Sequence, residues 1–177
     1  SVFDGMSCGR ISLERANIEV LDYYSSEIDK YAIKVADINY PYDAKNRLGD
    51  VLKIDTEELP KIDLLIGGSP CQSFSFVGKR KGMSTICEIE ITTLEQYLKL
   101  KEDSFEFQGQ SYLFWEFIRL LDTLKPKYFL LENVKMSKKW EEVITKAINK
   151  SFDKDEIYPK LINSELLSAH DRKRLYW

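Results

Sequence analysis

The sequence has few of the residues that build metal sites or disulfide frameworks. Its 177 residues include three cysteines and one histidine. The cysteines, Cys8, Cys71 and Cys87, are odd in number and widely spaced, which disfavours a disulfide framework and favours a reducing compartment. With no Cys-x-x-Cys pair and only His170 as an imidazole, we expect no zinc or other metal site.

Long hydrophobic runs and a strong charge excess are also missing. No apolar stretch is long enough to cross a bilayer, and the chain does not open on a basic signal region, so we expect no membrane partner. A net charge of −3 does not by itself indicate a nucleic-acid binder. Basic triplets do stand at residues 79–81 and 172–174, although isolated triplets are more often solvated surface.

Strand-like and helix-like segments alternate along the chain, as in α/β proteins. Short apolar runs predict strands at residues 2–3, 20–26, 49–51, 62–66 and 128–131. Helical periodicity and a capping box predict helices at residues 9–17, 29–38, 92–101, 112–124 and 140–148. In the second helix, Tyr31, Val35 and Ile38 are expected on one apolar face. The alternation predicts a doubly wound, mostly parallel sheet with helices on both faces, and both chain ends resemble truncated strands.

A cysteine follows one of the predicted buried strands. Gly67 and Gly68 end the strand at residues 62–66, and Pro70 stiffens the backbone before Cys71. An α/β protein presents a nucleophile in this way, at the carboxyl edge of its sheet. The alternative, a buried cysteine packed as a small hydrophobe, is equally compatible with this segment alone.

Glycine and carboxylate residues at three strand ends indicate a nucleoside site. Gly5 and Gly9 form a turn after the first strand, Glu27 ends the second, and Asp50 ends the third. Each carboxylate alone could belong to a solvated turn, but an acidic side chain at this spacing can accept from ribose hydroxyls. Because no Gly-Lys-Ser/Thr phosphate motif is present, an adenosine ligand without phosphates fits best, and S-adenosylmethionine is the obvious candidate.

Cys71 and Glu132 both follow buried strands that are neighbours in sequence order, so they can converge on one pocket. A thiol and a carboxyl without an adjacent histidine disfavour a papain-like protease. The pair suits covalent attack on an electron-poor ring, in which the thiolate adds and the carboxyl supplies a proton to a ring nitrogen.

Taken together, these segments resemble the DNA cytosine-5 methyltransferase family, in the family's order and over essentially the whole chain. The matching motifs are Phe3-Asp4-Gly5, Glu27, Gly49-Asp50-Val51, Gly68-Ser69-Pro70-Cys71-Gln72-Ser73-Phe74-Ser75, Gly109-Gln110-Ser111-Tyr112-Leu113-Phe114, Glu132-Asn133-Val134 and His170-Asp171-Arg172-Lys173-Arg174. The glycine turn and the final motif are most similar to the branch with the vertebrate de novo enzymes and some bacterial or phage methyltransferases.

The resemblance implies a Rossmann-like fold and methyl transfer from S-adenosylmethionine to carbon 5 of a cytosine flipped out of duplex DNA, leaving S-adenosylhomocysteine. The implied catalytic residues are Cys71, Glu132, Arg172 and Arg174. The implied cofactor-binding residues are Phe3, Asp4, Gly5, Glu27, Ile28, Asp50, Val51, Pro70 and Leu113. The implied DNA-binding residues are Gln72, Ser73, Ser75, Arg172 and Arg174.

The chain also departs from the family pattern. The middle glycines of the first turn are replaced, His170 stands where many members have glutamine, and the segment between Cys71 and Tyr112 is long. We expect residues 1–177 to be a catalytic domain without its target recognition domain and later motifs, which a second chain or a further segment would supply. We expect a cytoplasmic location for a bacterial or phage protein, and a nuclear one for a eukaryotic protein.

The sequence leaves two alternative functions open. One is a cytosine methyltransferase of the same fold that acts on tRNA. The other is a non-catalytic partner that uses the fold as an interaction surface, which the intact Cys71, Glu132, Arg172 and Arg174 disfavour.

Overall fold

The computed structural model describes residues 1–71, 83–153 and 156–177. Within these ranges the helices are α1 (Cys8–Arg15), α2 (Lys30–Asn39), α3 (Leu94–Glu102), α4 (Phe114–Leu124) and α5 (Lys138–Phe152). The strands are β1 (Leu64–Gly67), β2 (Tyr128–Val134), β3 (Lys160–Asn163) and β4 (Lys173–Tyr176). Short 3-10 turns occupy Pro41–Asn46, Val51–Lys53, Ser111–Leu113 and Ser164–Leu166.

The sheet is parallel on one side and antiparallel on the other. Its strand order is β1-β2-β4-β3, with β1 parallel to β2 and β4 antiparallel to both of its neighbours. Beyond β1, single parallel bridges join Val2 to Gly67 and to Ser26, and Ser25 to Arg47. The segments that follow Val2, Ser26, β1 and β2 therefore leave the sheet at one common edge.

Helix α4 forms the centre of the hydrophobic core, packed against α3 and α5. Phe114, Trp115, Phe117 and Leu121 in this helix are fully buried. It ends at Leu124 because Lys125 adopts a left-handed conformation, with φ of +44°, just before Pro126. In α5, Trp140, Ile144 and Ile148 repeat every four residues and form a buried stripe.

A capping box opens α3, but it lies one residue later than the Thr92–Glu95 box that the sequence predicts. The Thr93 hydroxyl accepts from the Gln96 amide at 3.2 Å, and the Gln96 side chain accepts from the Thr92 amide at 3.0 Å. Two donors at the helix start are therefore satisfied by side chains.

Several local predictions were wrong. The strand expected at residues 20–26 is reduced to single bridges at Ser25 and Ser26. The strand expected at residues 49–51 does not form: the neighbouring bridge lies at Arg47, and Val51 begins a 3-10 turn because the Asp50 side chain accepts from the Leu52 amide. Strand β3 was not predicted, since its Leu161 and Ile162 are both about half exposed and carry no burial pattern.

The predicted apolar face of α2 was also wrong. Tyr31 and Ile38 are 70% and 71% exposed, and Val35 is exposed as well. Ala36 is the buried residue of this helix instead, and Ala32 and Ile33 are half-buried.

In the part of the chain that the structure describes, no helix has both the length and the apolar character needed to traverse a membrane.

Candidate active site

Cys71 lies just past the carboxyl end of β1, in a loop that runs tight against β2. A side chain at Gly67 would meet the Phe117 ring at 2.6 Å, and one at Gly68 would lie 3.3 Å from Oε2 of Glu132. Cys71 is half-buried against the core and its thiol is free. Gly67 therefore lets the strand pack directly against Phe117, and Gly68 lets the cysteine-bearing loop pass beside the glutamate.

A buried asparagine joins the two strand ends. Leu131 pairs with Gly67 in the parallel register of β1 and β2. Two residues further on, Asn133 is 1% exposed, and its Nδ2 donates to Ser69 Oγ at 3.0 Å and to the Ser69 carbonyl at 3.4 Å. Its Oδ1 accepts from the Val134 amide at 2.8 Å. Sequence reasoning left Asn133 out of the site, although a polar residue at the end of a buried strand was the available signal.

Two arginines converge on the Glu132 carboxylate. Because β4 is antiparallel to β2, Val134 pairs with Arg174. The Arg174 Nε lies 2.9 Å from Glu132 Oε1, and an amino nitrogen of Arg172 lies 3.9 Å from the same oxygen. The Arg174 side chain is 20% exposed and that of Arg172 is 50% exposed. Three of the four predicted catalytic residues are thus in ionic contact, and the adjoining loop carries Cys71.

The first turn of the chain leaves open space at the same edge of the sheet. Phe3, Gly5 and Ser7 have φ angles of +55°, +58° and +63°, which fold the backbone into a tight turn before α1. A Cβ added to Gly5 would meet nothing within 4 Å. A ligand can therefore approach the backbone at Gly5.

The Asp4 carboxylate is turned into the protein. It is buried, and it accepts from the Ser7 hydroxyl at 2.7 Å and from the Tyr23 hydroxyl at 2.6 Å. Burial, and the Asp4 charge next to it, raise the pKa of Tyr23 above its ordinary value, so this hydroxyl keeps its proton and remains a donor. Asp4 therefore holds the shape of the turn through both its side chain and its backbone, since its amide donates to the Ser26 carbonyl at 3.1 Å and its carbonyl accepts from the Ser7 amide at 3.1 Å.

Glu27 faces the turn from the neighbouring chain segment. Its Oε2 accepts from the Gly5 amide at 2.8 Å, and its Oε1 accepts from the Ile28 and Asp29 amides at 2.8 and 2.9 Å. A carboxylate offers about four lone-pair sites, so one place on Oε2 remains for a ribose hydroxyl. Ile28 is 70% exposed and lies on the open rim. The open acceptor site on Glu27 and the free space at Gly5 fit a nucleoside.

The other predicted cofactor residues lie in three further segments. Asp50 is half-buried and its side chain accepts from the Leu52 amide at 3.0 Å, while Val51 is buried in the core. Pro70 is half-buried directly before the cysteine, and Leu113 is half-buried where the Ser111–Leu113 turn enters α4.

The predicted DNA contacts Gln72, Ser73 and Ser75, and the basic triplet at residues 79–81, lie outside the residues that the structure describes.

The α/β fold brings the Gly5 turn, the loop that bears Cys71, the Glu132 carboxylate and the two arginines to one edge of the sheet. The chain belongs to the C-5 cytosine-specific DNA methylase family, whose model matches residues 1–102 and 101–177. The family resemblance stated from the sequence is thereby confirmed.

Two curated relatives and one solved structure illustrate the similarity. The chain is 38% identical over 135 residues to the orphan methyltransferase M.Rho11sI of Bacillus phage rho11s, which covers 76% of this chain and 22% of the relative. It is 32% identical over 182 residues to the type II methyltransferase M.FnuDI of Fusobacterium nucleatum, which covers 100% of this chain and 45% of the relative. The chain therefore spans less than half the length of these relatives.

The crystal structure of the S. pombe Dnmt2 methyltransferase is similar in fold. It superposes with a TM-score of 0.66 at 17% identity, over 99% of this chain and 48% of that one. The predicted α/β, Rossmann-like architecture is confirmed.

Proposed function

We propose that this chain is the catalytic part of a DNA cytosine-5 methyltransferase, which transfers a methyl group from S-adenosylmethionine to carbon 5 of cytosine. The observation that carries the proposal is the junction of the β1 and β2 ends. There the loop that bears Cys71 contacts the Glu132 segment through Gly68 and the Asn133–Ser69 hydrogen bonds.

In the proposed reaction, Cys71 first loses its thiol proton; the thiolate then bonds to carbon 6 of a flipped cytosine, and the electrons of the carbon 5–carbon 6 double bond move toward carbon 5 and the ring. Glu132 binds the amino edge of the base and protonates ring nitrogen 3, which stabilises the adduct. Carbon 5 then forms its bond to the methyl group as the sulfonium carbon–sulfur bond breaks and its electrons stay on sulfur. Loss of the carbon 5 proton to a base, return of the nitrogen 3 proton and expulsion of the Cys71 thiolate complete the cycle.

Arg174 would orient Glu132, the proposed proton donor, and Arg172 would contact the nucleic acid. Arg174, mostly buried and 2.9 Å from Glu132, fixes the carboxylate in one rotamer. Arg172 has half of its side chain exposed, which leaves guanidinium donors free for the base or its phosphate.

The residues of the first turn would hold the methyl donor. Gly5 and the remaining acceptor site on Glu27 fit the ribose, Phe3 would stack on the adenine, and Asp50 with Val51 would border it. Pro70 and Leu113 would complete the wall of this pocket. When bound, S-adenosylmethionine supplies an electrophilic methyl group on a positively charged sulfur.

The proposed partner is a DNA duplex with a flipped cytosine. Target selection would come from a recognition element beyond residues 1–177, carried by a further segment or by a second chain, and the proposed location is the cytoplasm of a bacterial or phage-infected cell.

Trapping on 5-fluorocytosine DNA in the presence of S-adenosylmethionine tests the nucleophile. After methyl transfer, the fluorine at carbon 5 cannot leave as a proton would, so the adduct is not released. We expect a covalent adduct with the wild-type chain and with Cys87→Ser, the matched change of an exposed thiol, and none with Cys71→Ser. Equal trapping by both cysteine variants would show that Cys71 is not the nucleophile. Parallel transfer of labelled methyl groups to duplex DNA and to tRNA decides the substrate, and labelling of tRNA alone would contradict the proposal.

A further inference from the structure

A buried carboxylate lies in α4, away from the residues assigned to chemistry. Glu116 is 0% exposed, and it accepts from the Tyr97 hydroxyl at 2.6 Å, from Lys101 Nζ at 2.7 Å and from Arg119 Nε at 2.7 Å. Burial alone would raise the pKa of Glu116, but the hydrogen bonds from Lys101, Tyr97 and Arg119 hold it below its ordinary value. The side chain is therefore a carboxylate with three donors.

The same arginine reaches the turn that borders the proposed adenine site. The Arg119 amino nitrogen donates to the carbonyl oxygens of Val51 and Ile54, at 3.3 Å each. Val51 begins the 3-10 turn that Asp50 caps, and its carbonyl also accepts from the amide of Ile54, the residue that follows the turn, at 3.4 Å. Arg119 therefore contacts both ends of this turn. A planar guanidinium can serve Glu116 on one edge and the turn on the other, which a lysine ammonium cannot do with the same geometry.

Helix α3 also contacts the Glu116 carboxylate. Tyr97 and Lys101 belong to α3, within the long segment between Cys71 and Tyr112 whose role the sequence leaves open. One carboxylate thus connects α3, α4 and, through Arg119, the turn at residues 51–54.

We propose that Arg119, held in orientation by Glu116, is a positioning residue for the methyl donor. It fixes residues 50–54 in the conformation that borders the adenine, and α3 supports it through the shared carboxylate. This inference rests on the proposed function, because it assumes that the nucleoside lies against Asp50 and Val51.

The test compares three variants of the 177-residue chain. Arg119→Lys keeps the positive charge but removes the planar set of guanidinium donors that contacts Glu116 and the turn together. Tyr97→Phe removes one donor from Glu116 and leaves the contacts of Arg119 with the turn. Lys125→Ala is the matched control, because it removes an ion pair with Asp122 and a hydrogen bond to Ser151 at the end of the same helix. The measurements are S-adenosylhomocysteine affinity by calorimetry, amide hydrogen exchange at residues 52–54, and urea unfolding.

We expect Arg119→Lys to weaken S-adenosylhomocysteine binding about tenfold, which corresponds to ~1.4 kcal/mol, and to accelerate exchange at Lys53 and Ile54. Tyr97→Phe should have a smaller effect on both quantities. Lys125→Ala should change neither, even where it lowers the free energy of unfolding.

Wild-type affinity and protection in Arg119→Lys would overturn the inference. Losses of affinity that merely follow the loss of stability in all three variants would also overturn it, because Arg119 would then be only structural. A wild-type chain that binds no S-adenosylhomocysteine would refute the cofactor assignment, while the exchange rates would still decide whether Arg119 orders the turn.

Discussion

Replacing Gly67 by alanine should destabilise the protein by forcing a methyl group into the core. An ideal Cβ at this position lies 2.6 and 2.9 Å from Cδ2 and Cε2 of Phe117, and 3.1 Å from Cγ2 of Val2. Phe117 is 0% exposed, so its ring cannot move aside without displacing its neighbours.

The magnitude follows from two opposing effects. Overpacking of this kind costs about 1–3 kcal/mol. Alanine also restricts the unfolded chain, and this recovers about 0.4–1 kcal/mol where the native backbone suits it. Gly67 is not among the positive-φ residues, so that gain applies. We expect Gly67→Ala to lower the free energy of unfolding by about 1–2 kcal/mol.

Urea unfolding followed by circular dichroism, in a double-mutant cycle with Phe117→Leu, measures the effect. The smaller leucine side chain relieves the contact, so Gly67→Ala should cost about 1 kcal/mol less in the Phe117→Leu background. Gly68→Ala is the control: its Cβ would lie 3.3 Å from Glu132 Oε2 and 4.0 Å from the Glu132 carbonyl oxygen, contacts that are longer than those at Gly67, so it should cost less than Gly67→Ala. An equal cost of Gly67→Ala with and without the Phe117 ring would refute the argument.

Two further predictions concern buried polar groups. Asn133→Ala removes the hydrogen bonds to Ser69 and should lower the free energy of unfolding by about 1–3 kcal/mol. The same variant should form the adduct on 5-fluorocytosine DNA more slowly. An unchanged rate of adduct formation would contradict a positioning role for Asn133. Because the folded pKa of Glu116 lies below its ordinary 4.5, its stabilising contribution is complete above that pH and is lost as the pH falls through the folded pKa. The stability difference between wild type and Glu116→Gln in urea should therefore narrow below pH 4.5, and a pH-independent difference would contradict this assignment.

The strongly periodic helices were predictable from the chain alone. In α4 the apolar residues outnumber the polar ones so clearly that only one face can be solvated, and in α5 Trp140, Ile144 and Ile148 mark a single stripe. Helix α2 was different. It carries one apolar stripe at Tyr31, Val35 and Ile38 and a second at residues 32, 33 and 36, and periodicity cannot choose between them. Of the second stripe the structure fully buries only Ala36, while residues 32 and 33 are half-buried.

Some residues of the candidate site could also be predicted from the sequence, and others could not. Cys71, Glu132 and the arginines could be named from motifs, since each follows or begins a strand that the sequence indicates. The roles of Asn133 and of the Glu116–Arg119 pair could not, because their partners Ser69, Val51 and Ile54 are 64, 68 and 65 residues away in the chain.

The sequence by itself determined the α/β alternation, the family and the chemical identity of the reactive groups, because these depend on local periodicity and on short motifs. Only the tertiary structure decided which strand ends adjoin, which helix faces are buried and which buried polar groups find partners. Those outcomes depend on contacts between distant segments, and a side chain's hydrogen-bonding capacity does not specify which of many possible partners the fold will bring to it.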